Sequence, residues 1–272
     1  MNKYIKKYKP FIYTGIKEAI TYRANWLFII CGNILGCFIS FFLWKAVFES
    51  STDSNFMGFS LEEMIIYVFI TFITGNMINS GGTYNIGDEI KDGSIAMRMI
   101  KPISYNNTFL FQEIGNKIIN VLIAFIPLII GVEIYRYISA GEIRLSFTSL
   151  VMYAISVLLA YLINFFFNIC YGFTAFFFKN LWGSNMLKNC LVNFMSGAVI
   201  PLAFLPVTLR NIFVALPFSS LNYTPVMIYM GKYQGKEAIY YIVMQLVWGV
   251  LFWLLSKIIW RVAIKHICIQ GG

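Results

Sequence analysis

The chain has 272 residues, 59% of them hydrophobic and only 12% charged, whereas soluble domains carry about a quarter of their residues as charges. Too few charges are present to cover a water-facing surface, and a disordered chain needs the opposite composition. The net charge of +9, in a chain of mean hydropathy +0.71, reads as cytoplasmic loops and lipid headgroups rather than nucleic acid. An integral membrane protein of the all-α class is the reading that fits.

The first stretch is not a cleavable signal peptide, because its basic run leads into Pro10 and more Lys and Tyr with no compact apolar core. Residues 3–23 mix Tyr4, Tyr8, Phe11, Ile12, Ile16 and Ile20 with Lys6, Lys9, Lys17 and Arg23. An interfacial helix within residues 1–25, starting beyond Pro10, is expected on the cytoplasmic leaflet; a basic tail that only fixes orientation is the alternative. A bilayer-spanning helix needs about 20 mostly apolar residues. By that measure the first span runs from Trp26 to Phe48 and the second from Met64 to about Ile86. The third covers Ile118 to Ile138, and the fourth Leu150 to Phe178. A fifth starts near Cys190 and becomes irregular after Gly197, and the last runs from Ala238 to Trp260. That makes six spans.

Orientation follows from the basic residues. With the N-terminus inside, Lys3, Lys6, Lys7, Lys9, Lys17, Arg23, Lys91, Arg98, Lys101, Lys117, Lys179, Lys188, Lys257, Arg261 and Lys265 are cytoplasmic. Lys45, Arg136, Arg144, Arg210, Lys232 and Lys236 are outside. This positive-inside bias puts both termini in the cytoplasm.

The one substantial cytoplasmic loop, residues 85–116, contains Asn85-Ile-Gly-Asp-Glu-Ile-Lys-Asp-Gly-Ser-Ile-Ala-Met-Arg-Met-Ile-Lys-Pro-Ile-Ser104. Asp92-Gly93 predicts a turn, and Ser94 is a candidate cap for a short helix that must end before Pro102. Ile95, Met99 and Ile100 would form its apolar edge, suited to docking on a protein or a membrane surface. The second irregular region is 197–230, which holds Pro201, Pro206, Pro217 and Pro225. Interior prolines break helices, and broken backbone at membrane depth survives only inside protein or along a cavity. Short half-helices re-entering from the outer side are expected, with a kinked span and an apolar outer loop as the alternative.

Enzymatic constellations are missing. The single histidine, His266, lies near the C-terminus, and neither H-E-x-x-H nor G-x-S-x-G occurs. Gly231-Lys-Tyr-Gln-Gly-Lys-Glu237 is one residue short of a phosphate loop and has Glu237 in place of the magnesium-binding hydroxyl. Five cysteines without a C-x-x-C pair signal neither a disulfide framework nor a zinc site. Ionisable residues are scarce within the spans; Glu113, Lys117 and Glu133 lie at the ends of the third. That scarcity speaks against a self-energised ion-coupled carrier.

The spans carry amides instead. Asn76 and Asn79, Asn116 and Asn120, Asn164 and Asn168, and Asn189 and Asn193 are pairs three or four residues apart, each on one helix face. They read either as a polar translocation surface or as interhelical hydrogen bonding. Gly32, Gly36 and Ser40 form a small-residue stripe on the first span, open to dimerisation or to packing within one subunit.

The pattern resembles the permease subunits of ABC exporters of the ABC-2 type, most nearly the daunorubicin-resistance-like branch. The resemblance covers essentially the whole chain, 1–272, as a single transmembrane domain. Its most specific pieces are Gly93-Ser-Ile-Ala-Met-Arg-Met-Ile-Lys-Pro-Ile-Ser104 and the run from Ser196-Gly197 through Pro201, Pro206 and Leu216-Pro217-Phe218. The resemblance implies a bacterial cell-membrane protein, the transmembrane half of an ATP-driven exporter of a hydrophobic or amphipathic substrate. A second permease chain, identical or paralogous, and two ABC ATPase subunits would be its partners. ATP and magnesium would sit on the ATPase, and no cofactor or catalytic residue on this chain. Asp88, Glu89, Gly93, Arg98 and Pro102 would dock and shape the ATPase-coupling loop. Asn76, Asn79, Asn164, Asn168, Asn189 and Asn193 are the candidates for a translocation face. An ion-coupled carrier or channel and a non-transporting assembly or immunity factor are the alternative functions.

Overall fold

Apolar runs bounded by Ser, Gly and Pro fold as helices in a computed structural model, which describes residues 2–50, 55–56, 58–100, 103–140, 146–178 and 181–263. Pro102 lies outside the described residues, as do Lys101, His266 and the side chain of Arg98. Four helical runs among the described residues are long and apolar enough to cross a membrane: Leu61–Ile78, Tyr105–Ile138, Phe147–Phe176 and Gly235–Ala263. The protein is therefore an all-α membrane protein.

Helix α1 (Asn2–Thr21) includes Pro10 in its interior, so it begins before the proline rather than beyond it. The backbone bond that Pro10 forfeits is offset by packing. Tyr8 is buried and its ring stacks on Phe111 at 4.8 Å, while its hydroxyl accepts from the Ser104 amide at 3.2 Å. Helix α2 (Arg23–Ser50) spans 28 residues and contains the first expected span. One edge, Cys37, Trp44 and Phe48, is buried, while Phe28, Leu35, Phe38, Ile39 and Phe42 are exposed. Within the small-residue stripe, Gly36 lies against the Phe72 ring, whereas Gly32 faces open space.

A two-residue ladder, Asn55–Phe56 with Phe59–Ser60, leads into α3 (Leu61–Ile78). Ser60 and Glu63 form a reciprocal capping box there, which satisfies two of the free amide donors of the first turn. Met64 to Ile78 is buried at most positions, so α3 is the central helix. The second expected span does not continue to Ile86. Helix α3 ends at Ile78, extended backbone at Asn79 turns the chain, and α4 (Gly82–Lys91) is a separate helix packed on the run Phe147–Phe176. The reason lies in Gly81 and Gly82, poor helix formers, and in Glu113, whose carboxylate accepts from the Gly81 amide and the Ser80 hydroxyl.

Short helix α5 (Ile95–Met99) follows a turn at Gly93, φ 78°. Then α6 (Tyr105–Asn120), one π-helical turn over Val121–Phe125 and α7 (Ile126–Ala140) run on as one helix. The wide turn sits just ahead of Pro127, which has no N–H to continue the ladder. The helix that holds the third expected span thus starts at Tyr105, well before Ile118. Helix α8 (Phe147–Gly172) tightens into a 3₁₀ turn to Phe176. At the fifth expected span α9 (Trp182–Met195) stops after 14 residues. Beyond a 3₁₀ turn at Leu202–Phe204 come α10 (Val207–Ala215), α11 (Tyr223–Tyr229) and finally α12 (Gly235–Ala263).

The prolines of 197–230 frame these pieces. Pro201 and Pro206 directly precede helical turns, Pro217 sits in the connection, and Pro225 occupies the first turn of α11, where a missing N–H costs nothing. Helix α10 has no buried residue, whereas every residue of α11 is buried. Two apolar cores are stacked along α3 and α8. One holds Met64, Ile70, Tyr153 and Met227, the other Ile78, Ile86, Ile163 and Ile169. Polar bolts cross between helices: Thr74 to Tyr153 at 2.9 Å, and Ser156 to Gln245 at 2.9 Å.

Candidate functional site

A cavity of about 550 Å³ opens where α3 ends, beside the C-terminal half of α8 and the length of α9. Asn76, Asn79, Asn164, Asn168, Asn189 and Asn193 all line it. Three helices thus bring the six predicted asparagines to one space. Asn116 and Asn120 do not reach it; on α6 the Asn120 amide donates to Asn116 Oδ1 at 3.2 Å.

The lining asparagines divide by what their amides do. Asn164 Nδ2 donates to the Ile78 carbonyl at 2.8 Å, closing the end of α3 onto α8. Asn168 Nδ2 donates to Asn164 at 2.9 Å, and Asn76 Nδ2 to the Phe72 carbonyl at 2.9 Å. These three hold backbone as well as face the cavity, so both readings of the amide pairs have a share. Asn79, Asn189 and Asn193 are exposed at its margin.

Charge also enters the site, and sequence reasoning missed it. Lys188 lines the cavity half-buried, with Nζ donating to Asn168 Oδ1 and, at 3.4 Å, to Thr83 Oγ1. Asn185 and Asn222 line it too, both buried. The signal was the spacing of Asn185, Lys188, Asn189 and Asn193, one face of a helix, in which Lys188 had served only as a topology marker.

Behind the cavity α6 contributes a half-buried acid. Glu113 Oε1 accepts from Ser80 Oγ at 3.0 Å and the Gly81 amide at 3.1 Å, and Oε2 accepts from Tyr161 Oη at 3.0 Å. Lys117 donates to the Asn76 carbonyl at 3.1 Å. Both residues lie within the helical run Tyr105–Ile138, level with the end of α3.

The 85–116 segment is wired to the helices around it. Asp88 is exposed on α4, whereas Glu89 accepts from Tyr105 Oη at 3.0 Å. Tyr105 stacks on Trp260 of α12 at 4.6 Å. The Ser94 amide donates to Asp92 Oδ1 at 2.8 Å, and hydrogen bonding to Ser94 holds the Asp92 carboxyl below its ordinary range. Asp92, rather than Ser94, shapes the start of α5. Of the predicted apolar edge, the Met99 side chain lies outside the described residues, and Ile95 and Ile100 do not share a surface. Ile95 is 3% exposed and belongs to the core, while Ile100 is 83% and Met97 71% exposed. Ile95 anchors α5, while Met97 on it and Ile100 just after it are exposed.

A family model described as ABC-2 family transporter protein matches residues 34–271. The chain belongs to the ABC-2 transporter family. No curated protein matches it. ABC-2 membrane components are generally non-catalytic and imply an ABC ATPase subunit as partner. The asparagine cavity and the α4–α5 segment meet at Thr83, which lines the cavity from α4 and donates to Asn168, and both connect to α6: Ser80, Gly81 and Tyr161 converge on Glu113, and Glu89 bonds Tyr105 at the start of the same helix.

Proposed function

We propose that the chain is the permease subunit of an ATP-driven exporter in which the asparagine cavity receives the substrate and the α4–α5 segment receives the ATPase. The carrying observation is the convergence of all six asparagines on one cavity in a chain of a transporter family. Helix α2, the four apolar runs and the α9–α11 region would make up six membrane passages. With the N-terminus in the cytoplasm, α3 runs inward, so Asn76 and Asn79 and the cavity lie in the inner half of the bilayer. That is the side on which an exporter loads. Helices α10 and α11 would be the re-entrant pieces on the outer side, and a second permease chain would complete the assembly.

The half-buried Glu113 and Lys117 favour an ion-coupled carrier more than the sequence did. Both Glu113 oxygens are engaged by three donors, however, which suits an anchor better than a relay. ATP binding on the partner would drive the switch through its differential affinity for two states of the permease. Gly93, Met97, Arg98, Ile100 and Pro102 would form the docking surface, with Glu89 transmitting its movement to α6.

Affinity capture of the tagged permease from its native membrane, followed by peptide identification, tests this reading. An ABC ATPase is expected among the captured proteins; its absence from monodisperse, intact permease would contradict the proposal. Arg98→Glu is expected to leave the permease folded and lower the retained ATPase several-fold. Undiminished retention would remove Arg98 from the docking surface.

A further inference from the structure

Lys188 has no carboxylate partner among the described residues. Its neighbours are the oxygens of Asn168 and Thr83 and the rings of Tyr171, at 4.7 Å, and Phe167, at 5.7 Å. All are neutral, and dipoles screen a charge without cancelling it. A half-buried ammonium left this way is costly unless an anion arrives.

The cavity also carries acceptors with nothing to accept. Asn222 Nδ2 donates to Ser196 Oγ at 3.2 Å, and Ser196 Oγ is itself a donor to the Asn193 carbonyl at 3.0 Å. This relay fixes which way the Asn222 amide faces. Its Oδ1 is then left buried without a partner, as is Oδ1 of Asn185. Buried polar atoms are normally satisfied, so these two acceptors, with Thr71 Oγ1 a third unpartnered oxygen on the same lining, mark a place for a donor. Phe72, Val192, Val199 and Leu221 supply an apolar flank to the same space.

We infer that the cavity takes an amphipathic anion, with a phosphate or carboxylate on Lys188, headgroup N–H or O–H donors toward Asn222 and Asn185, and a chain along the apolar flank. The volume, about 550 Å³, is in the range of small-molecule sites. This inference rests on the transporter reading and names the substrate class for it.

The test is calorimetric titration of the permease, purified in a neutral maltoside detergent, with dodecyl phosphate, dodecyltrimethylammonium and inorganic phosphate. Saturable binding of dodecyl phosphate is expected, with no binding of the cationic amphiphile and much weaker binding of inorganic phosphate. Lys188→Gln should weaken dodecyl phosphate about tenfold, the worth of one charge-assisted hydrogen bond, and Lys188→Arg should restore it. Equal binding of the two charged amphiphiles, or an unchanged affinity in Lys188→Gln, overturns the inference. Equal affinity for inorganic phosphate overturns the amphiphile and leaves an anion site. The comparison of the two amphiphiles uses wild-type protein, so it decides even where a Lys188 variant fails to fold. ATPase capture from the same membranes separates the two claims: capture without anion selectivity removes only this inference, and the absence of capture removes the transporter reading.

Discussion

Gly115→Leu is expected to detach α1 from α6. A Cβ built at Gly115 overlaps the Ile12 carbonyl, and one built at Gly15 overlaps the Gln112 carbonyl, so the two backbones touch at reciprocal glycines. Neither obstacle is a flexible side-chain tip; both are backbone. The cost should reach or exceed the ~3 kcal/mol at the upper end for overpacked cores. Tyr8, stacked on Phe111 and bonded to Ser104, would lose both contacts as α1 lifts. Hydrogen exchange reads this directly: amides of α1 should lose protection while those of α8 and α12 keep theirs. Gly32→Leu is the control, since nothing lies within 4 Å of that position, and protection of α1 should survive it. Retained protection of α1 in Gly115→Leu would mean that the two helices are not in close contact.

Glu113→Ala should be the most damaging single change at the site. It strands the Ser80 hydroxyl, the Gly81 amide and the Tyr161 hydroxyl, three donors that meet on one carboxylate. It also leaves Lys117, one turn away, without a nearby acid. Leaving the donors of a half-buried charged acceptor unsatisfied costs about 1–3 kcal/mol. Glu113→Gln keeps the shape and one acceptor oxygen, so it should fall between wild type and Glu113→Ala in thermal unfolding. Equal stability of all three proteins would contradict the role given to Glu113 as the clasp between α3, α6 and α8.

The long apolar runs were legible because lipid demands them: α8 and α12 fall within a few residues of their expected ends. The second and third segments were misjudged for one reason. A hydropathy scan sees how apolar a stretch is, not what its polar residues meet. The run Asn79-Ser-Gly-Gly82 looked like a tolerable dip, yet it is where Glu113 holds the chain in a turn. Tyr105 to Lys117 looked too polar for a membrane helix, yet its polar side chains find partners on α1, α3 and α8. The asparagine face was legible from three- and four-residue spacing, a property of a single helix. That the three faces share a cavity depends on how helices are arranged, which spacing along one helix does not encode. Lys188 was hidden by its own usefulness as a topology marker, and Asn185 and Asn222 by pairing rules that reward neighbours in sequence.

The central claim is that the asparagine cavity is a substrate path that opens inward and closes when the ATPase binds ATP. Its most direct test places a single cysteine in the cavity, the Asn193→Cys variant, in a chain whose own five cysteines are replaced by serine. Membrane vesicles of both orientations, carrying the permease with its ATPase, are treated with a membrane-impermeant maleimide. Labelling is expected from the cytoplasmic side without nucleotide, and a several-fold loss when hydrolysis of ATP in the presence of vanadate traps ADP and vanadate on the ATPase. Labelling that is indifferent to nucleotide, or that comes only from the outer side, would contradict the account.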